Sequence, residues 1–414
     1  MHLPSWLSAL SGPNALENPD TTRFSGTELR TGDPARRKLG GIVAETYRGA
    51  GDAADVRRLR ISWEEGELEL LPTKGLTVGE LRHGEWVPFW KPVVSGIISP
   101  DEEDLLGAML INGERVASMR WLENFAGCIE LLGLCNWGMA HRPPDSDATL
   151  PLHGEASHVP VEEVAIAADE RYAVVEAPFE VRHAWWNDPD RSRPWYRRGV
   201  RRWRVVRTII IDTNGGIMHL VDEITNVGSE PAVPDWGYHY QFRAADGARL
   251  LIPGERVEGR FGGKVPEHFE AWQPSPDPGV RYERGYIHKG VPIESSLLGT
   301  EAVRGAAIYP DGPATLFTMP ASAYTLSWFS CGGQGSLEFA FPERPEESAI
   351  PVPWDGMGPE IGASALDHDG NVDPHITHRP IGPGETETLY SSLRAASSAH
   401  AADIEERFYR DARS

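Results

Sequence analysis

The sequence predicts an all-β protein, a large antiparallel β-sandwich with a few short helices. Three observations carry this. Turn residues, 43 Gly and 34 Pro in 414 residues, are scattered along the chain with brief apolar runs between them, the pattern of many strands. Residues 203–211 are nearly all β-branched or aromatic. They are followed by Asn214-Gly215, the strongest two-residue hairpin signal, and by a partner run at 217–225. Helical periodicity is weak almost everywhere.

The elements follow in order. Residues 1–45 hold Pro, Gly, Asn and charged side chains with few apolar anchors, and are expected to be an extension of low order. Residues 46–395 are expected to form one sandwich domain, since no linker or charge block divides them. Within it, residues 59–71 alternate around a Glu64-Glu65-Gly66 turn. Residues 172–186 are rich in Val, Phe and Trp, and 302–341 repeat the strand pattern in shorter pieces. Residues 105–125 are expected to hold a short helix. The stretch 343–380, dense in Pro, Gly, Asp and His, is expected to be an irregular rim or lid. Residues 396–414 read as a C-terminal helix or tail.

Composition narrows the function. The formal net charge of −21 argues against nucleic acid and anionic membranes as partners, because phosphate contacts need clustered Lys and Arg. No apolar run approaches the ~20 residues of a membrane helix, and the first residues lack the pattern of a secretory signal. A cytoplasmic protein is expected. Cys128, Cys135 and Cys331 lack the spacing of a disulfide framework or a zinc site. Nucleotide-binding and hydrolase motifs are absent.

Three places could carry chemistry. Leu150-Pro151-Leu152-His153-Gly154 sets a His at a strand end before a turn, where a rim would present it. In 235–242 the period of a strand puts Trp236, Tyr238, Tyr240 and Phe242 on one side. Asp235, Gly237, His239 and Gln241 fall on the other. A polar face beside flat aromatics suits a sugar, and Gly237 allows close approach. In 337–343, Glu338 interrupts an apolar strand, where partial burial would raise its pKa toward that of a general base. Two His and a Glu this far apart form no ligand motif, so spacing decides neither for metal-free proton transfer nor for a metal; no metal ligand set is assigned, and no cofactor is expected.

At these residues the chain resembles the aldose 1-epimerase, or galactose mutarotase, superfamily, and is most similar to a bacterial branch of it. The resemblance spans about residues 59–395. It rests on residues 69–78, 125–138 and Leu150-Pro151-Leu152-His153-Gly154, on Asp222-Glu223-Ile224-Thr225-Asn226, on Tyr238-His239-Tyr240-Gln241-Phe242, and on the Pro383-Gly384-Glu385 turn. It implies a sandwich with a sugar cleft and cofactor-free interconversion of anomers. By match, His153 stabilises the ring oxygen, His239 is the acid, and a late Glu is the base. Glu338 fits as that base and is favoured as strand-borne; Glu360, read as loop-borne, is the alternative. Lys74, Asn136 and His288 are further candidates for hydroxyl contacts, beside Asp235 and Gln241. Lys74 stands where the branch has Arg, and so loses bidentate geometry. A keto- or acidic-sugar isomerase, or a non-catalytic sugar binder, would use the same fold.

Overall fold

The computed structural model describes residues 7, 16, 18–31, 34–48, 57–90, 109–111, 114–116, 121, 127–134, 136–140, 150–182, 202–260, 264–274, 282–322, 324–331, 337–340, 350–352, 355–363, 380–397 and 405.

The hairpin written in the sequence forms. Strand Arg202–Asp212 pairs antiparallel with Ile217–Asn226. The Asp212 carboxylate accepts the N–H groups of Asn214 and Gly215, and Gly216 takes a positive φ of 58°. The meander extends outward through Tyr172–Arg182 and Glu163–Ala168. On its other side Ile217–Asn226 pairs with the last strand, Thr386–Ala396, which pairs in turn with Ala314–Pro320. These strands lie within a ten-stranded antiparallel sheet.

A twelve-stranded sheet faces it. Near its middle the order is Thr77–His83, Ile129–Gly133, Trp236–Tyr240, Gly356–Ala363, Tyr324–Cys331 and Tyr282–Lys289. The inner face of Trp236–Tyr240 meets the ten-stranded sheet. Tyr238 donates to Asp222 at 2.5 Å, and Tyr240 bonds Ser391 at 2.7 Å. Because side chains alternate along a strand, His239 points away from the partner sheet. Between the sheets Arg207 grips Asp222 through two bonds of 2.8 Å. A short third sheet joins Met109–Ile111, Glu114–Val116, Leu337–Ala340 and Ile350–Val352.

Three expectations are corrected. Residues 20–48 are part of the sandwich: Asp20–Ser25 edges the ten-stranded sheet, and Arg36–Leu39 and Ile42–Arg48 edge the other. Alternating charges there are the wet sides of edge strands, while Phe24, Leu39 and Ile42 are buried. Residues 109–116 give a strand pair, not a helix; their sequence holds Asn112-Gly113, and local turn chemistry outweighs weak helical spacing. The stretch 343–380 contains a strand in the middle of the larger sheet, Gly356–Ala363. Pro359 argued against it, since Pro removes a ladder donor. The final strand runs through Ala396; of the expected tail, residues 398–404 and 406–414 lie outside the described residues, and Glu405 is helical. Among the described residues no helix is long and apolar enough to cross a membrane. Cys128 is buried with its thiol pKa pushed up by burial, a core residue.

Candidate active site

The site grows from one row across three neighbouring strands. His239 lies opposite Glu130 on one side and opposite Glu360 on the other. Directly paired antiparallel residues point to the same face, so all three side chains stand on the side away from the partner sheet. That face would ordinarily be wet. Here all three are buried.

Glycines make room beside this row. In Gly356-Met357-Gly358-Pro359-Glu360-Ile361-Gly362 every outward position except that of Glu360 is Gly. The Trp137 indole fills the space above Gly237 and Gly362: a Cβ on Gly237 would lie 1.8 Å from Trp137 Cδ1. On the other side Trp328 covers Gly356 and Gly358 and stands 5.0 Å from the His239 ring.

His153 enters from the 150–154 turn. Its φ of 55° and that of Gly154, 71°, are left-handed. Such a backbone costs a non-Gly residue of order 1–3 kcal/mol, and it persists where surroundings hold it, typically at functional sites. Those surroundings are visible. His153 N donates to Gly138 O and its carbonyl accepts from Gly133 N. Asn136 clamps the turn through Pro151 O at 2.6 Å and Met139 O at 3.3 Å. Trp121 stands edge-on against His153 at 4.5 Å between ring centroids. Its indole N–H is held by Ser157, which also meets His158 at 3.2 Å.

The result is a buried triad. His153 Nδ1 lies 3.7 Å from Glu360 Oε1, and His239 Nε2 lies 3.8 Å from Glu360 Oε2. The two imidazoles are 5.9 Å apart between centroids and nearly perpendicular. These separations exceed a direct hydrogen bond, so the groups converge on a shared point. One ligand atom from each lies within 4.8 Å of the others, so the triad could also hold a divalent cation. Beside it Lys74, fully buried, meets Glu130 at 3.4 Å.

The remaining sequence candidates divide. Gln241 is fully buried, two residues beyond His239 on the same face. Lys74 reaches the row through Glu130, and Asn136 acts on the His153 turn. Asp235 is half-buried at the strand start, where its carbonyl receives Leu134 N–H. His288 is a correction. It belongs to the core face, bonds Ser327 at 2.9 Å, and burial pushes its pKa down to about 4. Glu338 sits in the small third sheet opposite Pro351, and its side chain lies outside the described residues. The carboxylate between the two His is that of Glu360, and it too is strand-borne, so the reason for favouring Glu338 falls away. Glu130 and Trp121 escaped sequence reading. The alternation of Gly around Glu360 was the available signal.

A protein-family model described as a domain of unknown function (DUF4432) matches residues 53–291. No curated protein matches the chain in sequence. Among solved structures, the chain is similar to a protein provisionally named aldose 1-epimerase from Klebsiella pneumoniae subsp. pneumoniae MGH 78578. The identity is 15% and the TM-score 0.66, over 95% of this chain and 92% of that one. It is similar to the Slr1438 protein of Synechocystis sp. PCC 6803 at 13% identity and TM-score 0.51, over 85% and 96%. A galactose mutarotase-like protein from Clostridium acetobutylicum aligns at 12% identity and TM-score 0.49, over 85% and 98%. The first of these likenesses identifies the fold as galactose-mutarotase-like; the chemistry rests on the residues.

Proposed function

We propose that this chain, which belongs to the DUF4432 family, is a sugar mutarotase that interconverts the anomers of a small free sugar by acid–base ring opening. The observation that carries this reading is the convergence of His153, His239 and Glu360 from three separate elements.

Mutarotation needs one base and one acid, each contributing about 10²–10⁴-fold. Glu360 takes the proton from the anomeric hydroxyl. His239, protonated, gives its proton to the ring oxygen as the C1–O5 bond breaks. The C1–C2 bond turns and the steps reverse on the other face of the carbonyl. The His153 imidazole donates to the ring oxygen as charge develops there. Indoles Trp121 and Trp328 offer flat apolar surfaces to the sugar's C–H faces.

Saturation transfer between α and β anomeric protons, across a panel of aldoses, tests this. The wild type accelerates exchange for at least one sugar, and Glu360→Gln and His239→Ala lower that rate by about 10²–10⁴. Near-wild-type rates in both variants refute it. Ketoses, followed by ¹³C, test a keto-sugar isomerase; binding without exchange points to a non-catalytic binder. The 4.8 Å convergence also suits a metal-dependent isomerase. Stoichiometric zinc, manganese or iron in the purified protein, lost together in Glu360→Gln, would favour that reading.

A further inference from the structure

We infer that Glu130, Gln241 and Trp328 form a second subsite beside the triad that selects a neutral polyhydroxylated sugar over a uronic or phosphorylated one. This rests on the proposed function and names the substrate class of the same site.

Glu130 Oε1 is occupied, by Gly127 N–H at 2.7 Å and Lys74 at 3.4 Å. Its Oε2 is buried and has no hydrogen-bond partner. Gln241 is fully buried with neither amide atom bonded, and Trp328 Nε1 is buried and unbonded. A buried group of this kind is costly when left without a hydrogen bond, and a ligand hydroxyl would supply one. The sheet brings them together. Gln241 N–H donates to Cys128 O, so Gln241 is one diagonal step from Glu130 on the outward face. The Glu130 side chain leans back toward Gly127, where a Cβ would come 2.6 Å from Glu130 Cγ, and so toward the row of Gln241. In that row, Gly358 pairs with Trp328, whose indole covers the glycine.

The set offers acceptors in Glu130 Oε2 and the Gln241 oxygen, and donors in the Gln241 amide and the Trp328 N–H. Adjacent hydroxyls, each donor and acceptor at once, complement it. An anion does not. Glu130 Oε2 and the Gln241 oxygen are acceptors, as are the oxygens of a carboxylate or phosphate, so an anion would set acceptor against acceptor in a buried site.

Calorimetric binding of matched pairs, galactose with galacturonate, glucose with glucuronate and mannose with mannuronate, tests the subsite separately from catalysis. For the wild type, at least one neutral sugar binds about tenfold or more tighter than its uronate. Gln241→Met, which keeps the volume, weakens that neutral sugar about 10–100-fold. Glu130→Gln narrows the preference over the uronate. Circular dichroism melting checks that each variant folds, and Gln241→Met decides the matter if Glu130→Gln does not. Equal or tighter uronate binding, an unchanged affinity in Gln241→Met, or no binding of any sugar overturns the inference. Selective binding without anomer exchange leaves the subsite standing and overturns the mutarotase reading alone.

Discussion

Two buried polar clusters lie on opposite faces of one strand. On the inner side of Trp236–Tyr240, Tyr238 meets Arg207 and Asp222. On the outer side, His239 meets Glu360, His153 and Glu130. The inner cluster is closed. Asp222 receives both guanidinium bonds at 2.8 Å and the Tyr238 hydroxyl, and Arg207 donates onward to Gly75 O. The outer cluster is open. Its His–Glu separations are 3.7 and 3.8 Å, and Glu130 and Gln241 keep unbonded atoms. Burial and composition are similar in the two. What differs is saturation: on the inner side the Tyr238 hydroxyl and the Arg207–Gly75 bond tie a satisfied cross-strand charge pair to the facing sheet, while on the outer side Glu130 and Gln241 keep buried atoms without a hydrogen bond.

The comparison can be broken at several points. The largest effect is expected from Asp222→Ala. It leaves Arg207 buried and uncompensated, and should cost about 3–5 kcal/mol, a large share of the ~5–15 kcal/mol of a typical domain. Denaturant melts read this directly. A loss below 1 kcal/mol would mean the inner cluster is not what joins the sheets. Glu360→Gln makes the opposite case. Its anomer exchange should collapse while its melting temperature stays within a few degrees of wild type or rises, since open functional clusters trade stability for activity. Unfolding of this variant would make the outer cluster structural as well.

A smaller effect is expected from Gly237→Ala. The added methyl would collide with Trp137, costing about 1–3 kcal/mol as overpacking and moving the indole beside the row. Unchanged stability would show that Trp137 has room to shift. The smallest effects are in pH. Burial raises the half-buried Glu155 carboxyl, next to the His153 turn, to about 8. Its folded pKa lies above its unfolded value, so its contribution is full below about 4.5 and is lost as pH rises through about 8. Burial lowers His219, bonded to Tyr390 at 2.9 Å, to about 4. Its contribution is present above about 6.5 and is lost as pH falls through about 4. Melting temperature against pH should therefore flatten on the alkaline side in Glu155→Gln and on the acid side in His219→Gln. Profiles parallel to wild type would contradict both assignments.

Much of the architecture was legible because it is local. The Asn214-Gly215 turn and the flanking β-branched runs dictate a hairpin wherever the chain goes. The period of two in 235–242 correctly separated Tyr238 and Tyr240 from His239 and Gln241. Other elements were hidden by conflicting local signals: Pro359 disguised a central strand, and charged residues disguised the edge strands of 20–48. His288 was a candidate for a hydroxyl contact, but its register puts it in the core.

The sequence by itself determined the all-β class, the alternation that turns His239 outward, and the turn that presents His153. Tertiary structure alone decided which carboxylate joins them, because the local context favoured Glu338 and only cross-strand register sets Glu360 opposite His239. It also decided which polar groups are saturated. Pairing between residues 121 apart, as for His239 and Glu360, or 109 apart, as for His239 and Glu130, depends on strand order, and strand order is fixed by the packing of the whole sheet rather than by any short window of residues.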